Sequence, residues 1–367
     1  MNIVKATRKY EEWLGQHLRI VVPDLRRKHE RMAESAFCFM RATFYRWLQL
    51  WEEICSDLQH GPRILSVGDL HVENFGTWRD TDGRLVWGVN DFDEACLYPY
   101  AMDLVRLATS ALMASQEGRL AITPKESAEA ILAGYIRGMQ DGGRPFVLEE
   151  EHGWLRDIAT SKLRDPVVFW QKIDRLPTVR GDATESAREA LEHMLPEPGI
   201  PYRLARRTGG LGSLGRVRIV AIAEWKGGRV AREAKALMPS ALHWLDPKHT
   251  PREILYAAIL RRAVRCPDPY IQLRGHWIVR RLSPQCSRIA LAQLESARGE
   301  LRLLTAMGQE TANIHAGTEE KRRAILKDLR RRKGNWLAKA SRAMAKTLDE
   351  DWQEWKERWQ SPDSAEK

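Results

Sequence analysis

Two short polar segments near the start of the chain constrain its fold and chemistry most. The first, residues 68–76, contains Asp69 and Asn74, which lie five positions apart. The second, residues 90–94, reads Asn-Asp-Phe-Asp-Glu and contains Asp91. An aspartate, an amide and a second aspartate in this pattern indicate a proton acceptor beside a metal ion.

The residues between these segments predict a β-hairpin. Asp82-Gly83 favours a tight turn, and it lies between residues 75–79 and 84–89, which are typical of strands. Residues 63–67 form a further predicted strand, which leads into a turn at Gly68. Because a hairpin brings its two ends together, we expect the two polar segments to lie side by side.

That convergence would assemble the groups that phosphoryl transfer requires. Asp69 would accept the proton of an attacking hydroxyl, and Asn74 and Asp91 would bind Mg²⁺ through oxygen atoms. Asp93 is a further candidate ligand for the metal. The alternative is a polar turn followed by an acidic surface loop, in which these side chains are solvated.

The motifs also resemble known families. Residues 68–74, Gly-Asp-Leu-His-x-x-Asn, resemble the catalytic loop of aminoglycoside phosphotransferases, and residues 90–92 resemble their metal-binding segment. Residues 100–108 resemble the helix that follows it. With residues 31–32 and 37–41, these motifs most resemble a bacterial domain-of-unknown-function family, number 2252, over roughly residues 25–320. The resemblance implies a kinase-like fold more than a reaction.

A glycine-rich segment, residues 209–215, follows much later in the chain. A dinucleotide-binding turn would lead into a helix, but here two strands are predicted, over residues 216–225 and 230–237. A glycine loop between strands resembles the loop that covers the phosphates of ATP in kinases. The segment has the spacing G-x-G-x-x-G, and its candidate nucleotide-binding residues are Gly210, Gly212, Ser213 and Gly215.

Lys235 and Glu253 extend the candidate nucleotide site. Lys235 lies near the end of the second predicted strand, where kinase-like proteins carry the lysine that pairs with the phosphates. Glu253 follows 18 residues later on a helix predicted over residues 252–264, and it is the expected partner of Lys235. The alternatives are a solvated strand lysine and an ordinary acid at a helix N-terminus.

The order of these segments is reversed relative to ordinary kinases, in which the glycine loop and lysine precede the catalytic loop. Here Gly210 lies 141 residues after Asp69. Residues 307–316, which resemble the helix that leads into the catalytic loop, come later still. The order predicts a circular permutation, which is tolerated where chain termini lie close together at the surface.

The expected fold class is therefore α+β, a two-lobed protein-kinase-like fold in circularly permuted order. A larger helical lobe, residues 1–200, would carry the catalytic and metal loops. A smaller nucleotide lobe, residues 201–287, would be built on an antiparallel sheet, with a hinge at residues 195–201. Residues 288–367 would return to the large lobe and add a basic helical segment. A chain of 367 residues exceeds the usual size of a single core.

Three further polar residues have open or supporting roles. Arg41 is expected either to contact a phosphate or the acidic segment, or to form a structural ion pair. His71 is expected to support the loop structurally. Asp103 is expected to hydrogen-bond the catalytic loop from a helix rather than to take part in chemistry.

Composition agrees with an intracellular enzyme. The five cysteines are odd in number and form no Cys-x-x-Cys pair, so neither a disulfide framework nor a zinc site is expected. No apolar run suits a membrane span or a signal peptide, so we expect a cytoplasmic protein without a membrane partner. The net charge of +10 favours anionic partners such as nucleotides. Nucleic acid also suits this charge, but no recognised binding module is visible.

The predicted function is ATP- and Mg²⁺-dependent transfer of a phosphoryl group to a hydroxyl of a small-molecule or protein acceptor. Two alternatives stay open. A site that holds ATP in the reverse direction would transfer AMP, and a non-catalytic pseudokinase would bind nucleotide and signal by lobe closure. The presence of Asp69, Asn74, Asp91 and Lys235 favours an enzyme.

Overall fold

The computed structural model describes residues 1–160, 165–179, 185–286 and 297–360. The protein is mixed α+β, mostly helical with small antiparallel sheets, which confirms the coarse fold class. None of the described helices combines the length and the apolarity that crossing a bilayer requires.

The elements alternate between helical stretches and short groups of strands. The helices are α1 (Ile3–His17), α2 (Val22–Glu34), α3 (Ala36–Ala42), α4 (Phe44–Ile54), α5 (Ala101–Gln116), α6 (Pro124–Asp141), α7 (Gly153–Ala159), α8 (Pro166–Asp174), α9 (Glu185–Glu192), α10 (Ala241–Leu245), α11 (Tyr256–Arg262), α12 (Ala297–Ala316), α13 (Glu319–Arg331) and α14 (Trp336–Gln360). The strands are β1 (Arg63–Ser66), β2 (Phe75–Arg79), β3 (Leu85–Val89), β4 (Cys96–Pro99), β5 (Phe146–Val147), β6 (Tyr202–Arg206), β7 (Arg218–Trp225), β8 (Gly228–Ala236), β9 (Ile271–Arg274) and β10 (Trp277–Leu282).

The predicted hairpin is confirmed as β2 and β3. The strands pair in antiparallel register from Phe75 opposite Val89 to Arg79 opposite Leu85. The turn between them contains Gly83 at a φ of 77°, a conformation that glycine adopts without steric strain. The second strand is one residue shorter than predicted, and the hairpin leads directly into the second polar segment.

The larger antiparallel sheet has five strands in the order β6-β7-β8-β10-β9. The glycine segment, residues 209–215, connects β6 to β7, so it joins two strands and does not lead into an α-helix. Its centre is a short 3-10 turn, Leu211–Ser213. This geometry excludes a dinucleotide-binding strand–turn–helix at this position.

Helices α8 and α9 pack on opposite faces of the five-stranded sheet. Ile173 of α8 clusters with Val220 on one face, and Leu191 of α9 clusters with Ala234 and Trp277 on the other. Apolar residues that precede the predicted boundary at residue 200 thus cover this sheet. We expected them in the larger helical part.

Helix α12 brings the later part of the chain back onto the first half. It crosses α6 so closely that a Cβ atom at Gly134 would lie 1.9 Å from the carbonyl oxygen of Thr305, and one at Gly308 would lie 2.1 Å from that of Ile131. Only glycine fits at such contacts without a shift of the backbone. The predicted helix over residues 307–316 is thus confirmed as the second half of α12.

Candidate active site

The first polar segment is fixed to helix α5 by a buried carboxylate. The backbone N–H groups of Val67 and Gly68 donate to the two oxygens of Asp103, at 2.7 and 3.0 Å. Gly68 has a φ of 86°, and a Cβ atom there would lie 2.1 Å from the carbonyl oxygen of Glu94. Asp103 therefore supports the loop from a helix, as expected, and the loop packs directly on the second polar segment.

A buried hydrogen-bond chain ties Asp103 to the later part of the sequence. Nε2 of His315, on α12, lies 2.9 Å from Asp103 Oδ2, and its Nδ1 lies 2.9 Å from the hydroxyl of Tyr135. All three side chains are inaccessible to solvent. An ionised carboxylate only accepts hydrogen bonds, so an ionised Asp103 takes its hydrogen bond from Nε2 of His315.

Asn74 links the two polar segments. Its Oδ1 accepts a 2.6 Å hydrogen bond from the N–H of His71, and its backbone oxygen accepts from Asn90 at 3.0 Å. The His71 N–H needs an acceptor, so this contact fixes which side of the amide is oxygen. A carbonyl oxygen has two lone pairs, so Oδ1 keeps capacity for a metal ion.

Asp69 is held by an arginine that the sequence interpretation did not identify. Arg106 Nε donates to Asp69 Oδ1 at 2.8 Å, and Nη2 makes a second, shorter contact to the same oxygen. Arg106 is completely buried between the rings of Phe44 and Trp47. Burial raises the pKa of Asp69, whose side chain is 21% exposed, and the Arg106 charge opposes that rise.

Lys235 reaches the second polar segment across 144 residues of sequence. Its ammonium donates to Asp91 Oδ1 at 3.3 Å and makes a shorter contact to Asp93. Lys235 is 1% exposed, and burial lowers its pKa while the two carboxylates oppose that change. Burial and the Asp91 charge raise the pKa of Asp93, and the positive charges of Lys235 and Arg216 oppose that rise.

The structure does not bring Glu253 to Lys235. Glu253 is exposed and lies in the turn before α11, which begins at Tyr256 instead of residue 252. Its expected place beside the ammonium is taken by Asp91 and Asp93. The physical reason is that residues 251–255 form a surface turn, so the acid never enters a helix facing the sheet.

Arg216 and Glu94 form a second buried ion pair beside this cluster. Arg216 donates to Asp93 Oδ2 at 3.4 Å and to Glu94 Oε1 at 3.3 Å. The other oxygen of Glu94 accepts the N–H of Ala241 at 2.7 Å. Arg216 thus holds the end of the glycine segment against the second polar segment.

The glycine segment lies directly over Asp69. A Cβ atom at Gly212 would lie 3.2 Å from the carbonyl oxygen of Arg41 and 3.6 Å from Asp69 Oδ2. Ser213 Oγ accepts a short hydrogen bond from Arg218, and Gly215 accepts from the N–H of Val21 at 2.9 Å. The segment is therefore packed down on the loop.

These residues enclose one small cavity, which we call the metal cavity. Its volume is about 40 Å³. Arg41 lines it and pairs with Glu73 at 2.8 Å, the structural role weighed above. Its other lining residues are Val67, Asp69, His71, Asn74, Asp91, Asp93, Glu94, Gly210, Leu211, Gly212, Ser213 and Arg216. All the predicted catalytic and metal residues thus converge, together with Gly210, Gly212 and Ser213.

The metal cavity suits a small cation better than a nucleotide. Among the described residues no group of three or more His, Cys, Asp or Glu side chains could hold a metal ion. The set here is two carboxylates and one amide, which fits Mg²⁺ because that ion keeps waters and takes phosphate oxygens. Nucleotide-sized ligands need about 300 Å³ or more, so this cavity is far smaller than a nucleotide.

A cluster of three arginines lies beside Lys235 on the larger sheet. Glu233, two residues earlier on the same face of β8, accepts from Arg218 and Arg280 at 2.9 Å each, and from Arg207. Burial alone would raise the pKa of Glu233, but the three arginines, Arg218 foremost, hold it well below its usual range. Three cations around one carboxylate leave a local excess of positive charge beside Lys235.

Arg106 and Arg216 are the site residues that sequence reasoning missed. Arg106 is the only charged residue between Leu104 and Ala114, an apolar stretch of α5. A lone arginine in such a stretch indicates a buried ion pair, because an unpaired buried charge is strongly unfavourable. Arg216 directly follows the glycine segment, but no sequence signal assigns its acidic partners.

Comparison with known proteins gives one match. Residues 21–152 match the model of a family described as an uncharacterized protein conserved in bacteria, DUF2252. The match includes both polar segments and α5 but ends before the glycine segment and Lys235. The resemblance expected to residue 320 is therefore found over its first part alone. Comparison with curated proteins and with solved structures finds no match.

Proposed function

We propose that this protein is an ATP- and Mg²⁺-dependent phosphotransferase that acts on a hydroxyl-bearing acceptor. The observation that carries the proposal is the contact of Lys235 with Asp91 and Asp93 under a glycine segment that covers Asp69. A cation, two carboxylates that would bind Mg²⁺ and a candidate base thereby lie in one cleft. That is the set of groups that phosphoryl transfer needs.

The roles of the residues follow from their contacts. Asp69 would accept the acceptor's hydroxyl proton, and Arg106 orients its carboxylate so that Oδ2 faces the cavity. Asn74, Asp91 and Asp93 would hold Mg²⁺, and Lys235 would bind a phosphate. When bound, Mg²⁺ neutralises phosphate charge and orients the phosphates.

We infer further that the fold is a two-lobed kinase-like fold in circularly permuted order. The supporting observations are the glycine segment between the first two strands of the larger sheet and Lys235 on its third strand. Helix α12, the last of the kinase-like segments in sequence, supports the catalytic loop through His315 and Asp103. The glycine segment, the strand with Lys235 and helix α12 thus each lie beside the part of the chain that a permuted kinase-like fold would require.

Binding of a nucleotide requires the glycine segment to lift from its closed position. Leu211 and Leu214 are both buried in the main hydrophobic core. Exposing one leucine side chain costs about 1.5–3 kcal/mol. We therefore propose that nucleotide binding is linked to opening of the segment, with an affinity reduced by the free energy of opening.

The arginine cluster favours nucleotidyl transfer as a second candidate function. Glu233 lies two residues before Lys235 on β8, and its partners Arg218 and Arg280 are close enough for their charges to act on Lys235. A triphosphate whose terminal phosphate lay at these arginines would place its α-phosphate nearer the metal ligands. Such an orientation would transfer AMP rather than a phosphoryl group.

Labelled ATP separates the two reactions. Incubation with γ-labelled and α-labelled ATP, followed by mass spectrometry of the products, should show a mass increase of one phosphoryl group and label from the γ position. Transfer of α-label would favour the second candidate. Asp69→Asn should keep Mg²⁺-nucleotide binding and lose turnover, whereas Asp91→Asn should weaken binding itself. Absence of thermal stabilisation by millimolar Mg²⁺-ATP would contradict both candidates.

A further inference from the structure

A second cavity lies on the other side of Asp69, and we call it the Lys28 cavity. Its volume is about 20 Å³. It is enclosed by the first four helices, the two polar segments and the glycine segment. Its lining residues are Tyr10, Leu14, Lys28, Arg41, Ala42, Phe44, Tyr45, Asp69, Glu94, Gly212, Leu214 and Arg216.

Lys28 is the unusual group in this cavity. It is 4% exposed, and its ammonium makes no hydrogen bond or ion pair with any residue that the structure describes. Its Nζ lies over the ring of Tyr45, 5.9 Å from the ring centre. Burial lowers the pKa of Lys28, and the Glu11, Glu94 and Asp69 charges oppose that change.

Each carboxylate near Lys28 already has another partner. Glu11 binds His29 at 2.7 Å, Asp69 binds Arg106, and Glu94 binds Arg216 and the N–H of Ala241. Each of these acids is therefore already bound by another donor. A buried ammonium without a counter-ion is strongly unfavourable, and an anionic ligand beside Lys28 would supply one.

The position of the cavity indicates what that anion is. Asp69 lines both the Lys28 cavity and the metal cavity, and Gly212 lines both as well. The candidate base thus lies between the metal ligands on one side and Lys28 on the other. A ligand held at Lys28 would present its neighbouring atoms to Asp69.

We propose that the Lys28 cavity binds the acceptor once the glycine segment, whose Gly212 and Leu214 line it, has lifted, and that the acceptor is a small hydroxylated anion. Its carboxylate or phosphate pairs with Lys28, and its hydroxyl faces Asp69. This assignment rests on the proposed function for its reaction. The hydroxyl oxygen forms a bond to the γ-phosphorus while the bond to the β,γ-bridging oxygen breaks, ADP leaves with that electron pair, and the hydroxyl proton passes to Asp69.

Isothermal titration without nucleotide tests the cavity directly. The probes are D-glycerate, glycerol 3-phosphate and, as the neutral counterpart, glycerol. Wild-type protein should bind at least one anion and not glycerol, and the two anions distinguish a carboxylate from a phosphate. Lys28→Met should weaken anion binding about tenfold or more. Lys125→Met, the same change at an exposed lysine on α6, should leave it unaltered.

Proton uptake gives a readout that needs no variant. An anion beside Lys28 raises the pKa of the ammonium, so binding should draw protons from the buffer at alkaline pH, where part of the free protein carries Lys28 as the neutral amine. The binding enthalpy of wild-type protein should then differ between two buffers of unequal ionisation enthalpy. Loss of this difference in Lys28→Met would assign the proton to Lys28.

The results separate this proposal from the proposed function. Absence of anion binding, equal binding of glycerol, or unchanged binding by folded Lys28→Met would overturn the acceptor site. Stabilisation by Mg²⁺-ATP is measured on the same samples. Anion binding that depends on Lys28 without any effect of Mg²⁺-ATP would keep the anion site and remove the phosphotransferase.

Discussion

Replacing Arg106 by methionine should destabilise the protein in a strongly pH-dependent manner. The change removes a fully buried cation that binds Asp69 and also donates to the carbonyl oxygen of Met40 at 3.0 Å. Breaking a buried ion pair on one side costs about 3–5 kcal/mol. Because the Asp69 side chain is 21% exposed and keeps part of its hydration, we expect about 3 kcal/mol, at the lower end.

The sign of the pH dependence follows from the pKa of Asp69. Burial raises that pKa in the folded protein, and Arg106 opposes the rise. Without Arg106 the folded-state pKa lies further above the usual value, so the folded protein binds more protons than the unfolded chain. Stability then falls as pH rises above that usual value. The loss caused by Arg106→Met should therefore be larger at pH 7 than at pH 4.

Urea unfolding followed by circular dichroism, at a series of pH values, measures this loss. The matched control introduces Arg106→Met into an Asp69→Asn background, where no carboxylate remains to be left unpaired. There the loss should be smaller and nearly independent of pH. An equal and pH-independent loss in both backgrounds would refute the argument that Arg106 acts through the Asp69 charge.

Three further predictions concern the cleft and its support. Lys235→Met leaves Asp91 and Asp93 without their shared cation, so it should lower the melting temperature. Addition of Mg²⁺ should then raise the melting temperature of the variant more than that of wild type. An equal Mg²⁺ effect in both proteins would contradict this. Burial raises the pKa of Glu310 to about 7 from 4.5, so its contribution to stability is lost as pH rises through 7. Glu310→Gln should therefore make the melting temperature depend less on pH between pH 5 and 8. An unchanged pH dependence would count against this assignment. Leu211→Ala should strengthen Mg²⁺-ATP binding about tenfold for each 1.4 kcal/mol by which it destabilises the closed position of the glycine segment. Titration calorimetry measures this affinity. Weaker binding by a folded variant would argue that the closed segment does not oppose nucleotide binding.

The β2–β3 hairpin was predictable from sequence because residues adjacent in the chain specify its turn. Asp82-Gly83 sets the β2–β3 hairpin, and the hairpin then forces Asn74 and the second polar segment together. The contact of Lys235 with Asp91 is different, since 144 residues separate them. Its prediction depended on family resemblance and not on residue spacing.

Partners of buried charges were the part that sequence reasoning could not supply. Arg106 and Asp69 are 37 residues apart, and Arg216 and Asp93 are 123 apart. Such pairs depend on how helices and sheets pack, and no periodicity in the sequence encodes that. Glu253 illustrates the opposite failure, because helix propensity at residues 252–255 was overridden by a surface turn.

The bond between Asp103 and His315 has a consequence for synthesis. The two residues are separated by 212 positions. At about 5–20 residues per second, a ribosome needs roughly 10–40 s to add that length of chain. During this interval Asp103 can already hold the N–H groups of Val67 and Gly68, but neither His315 nor α12 is present to enclose it. The first polar segment of a nascent chain therefore stays open to water, and to chaperones, until α12 has emerged.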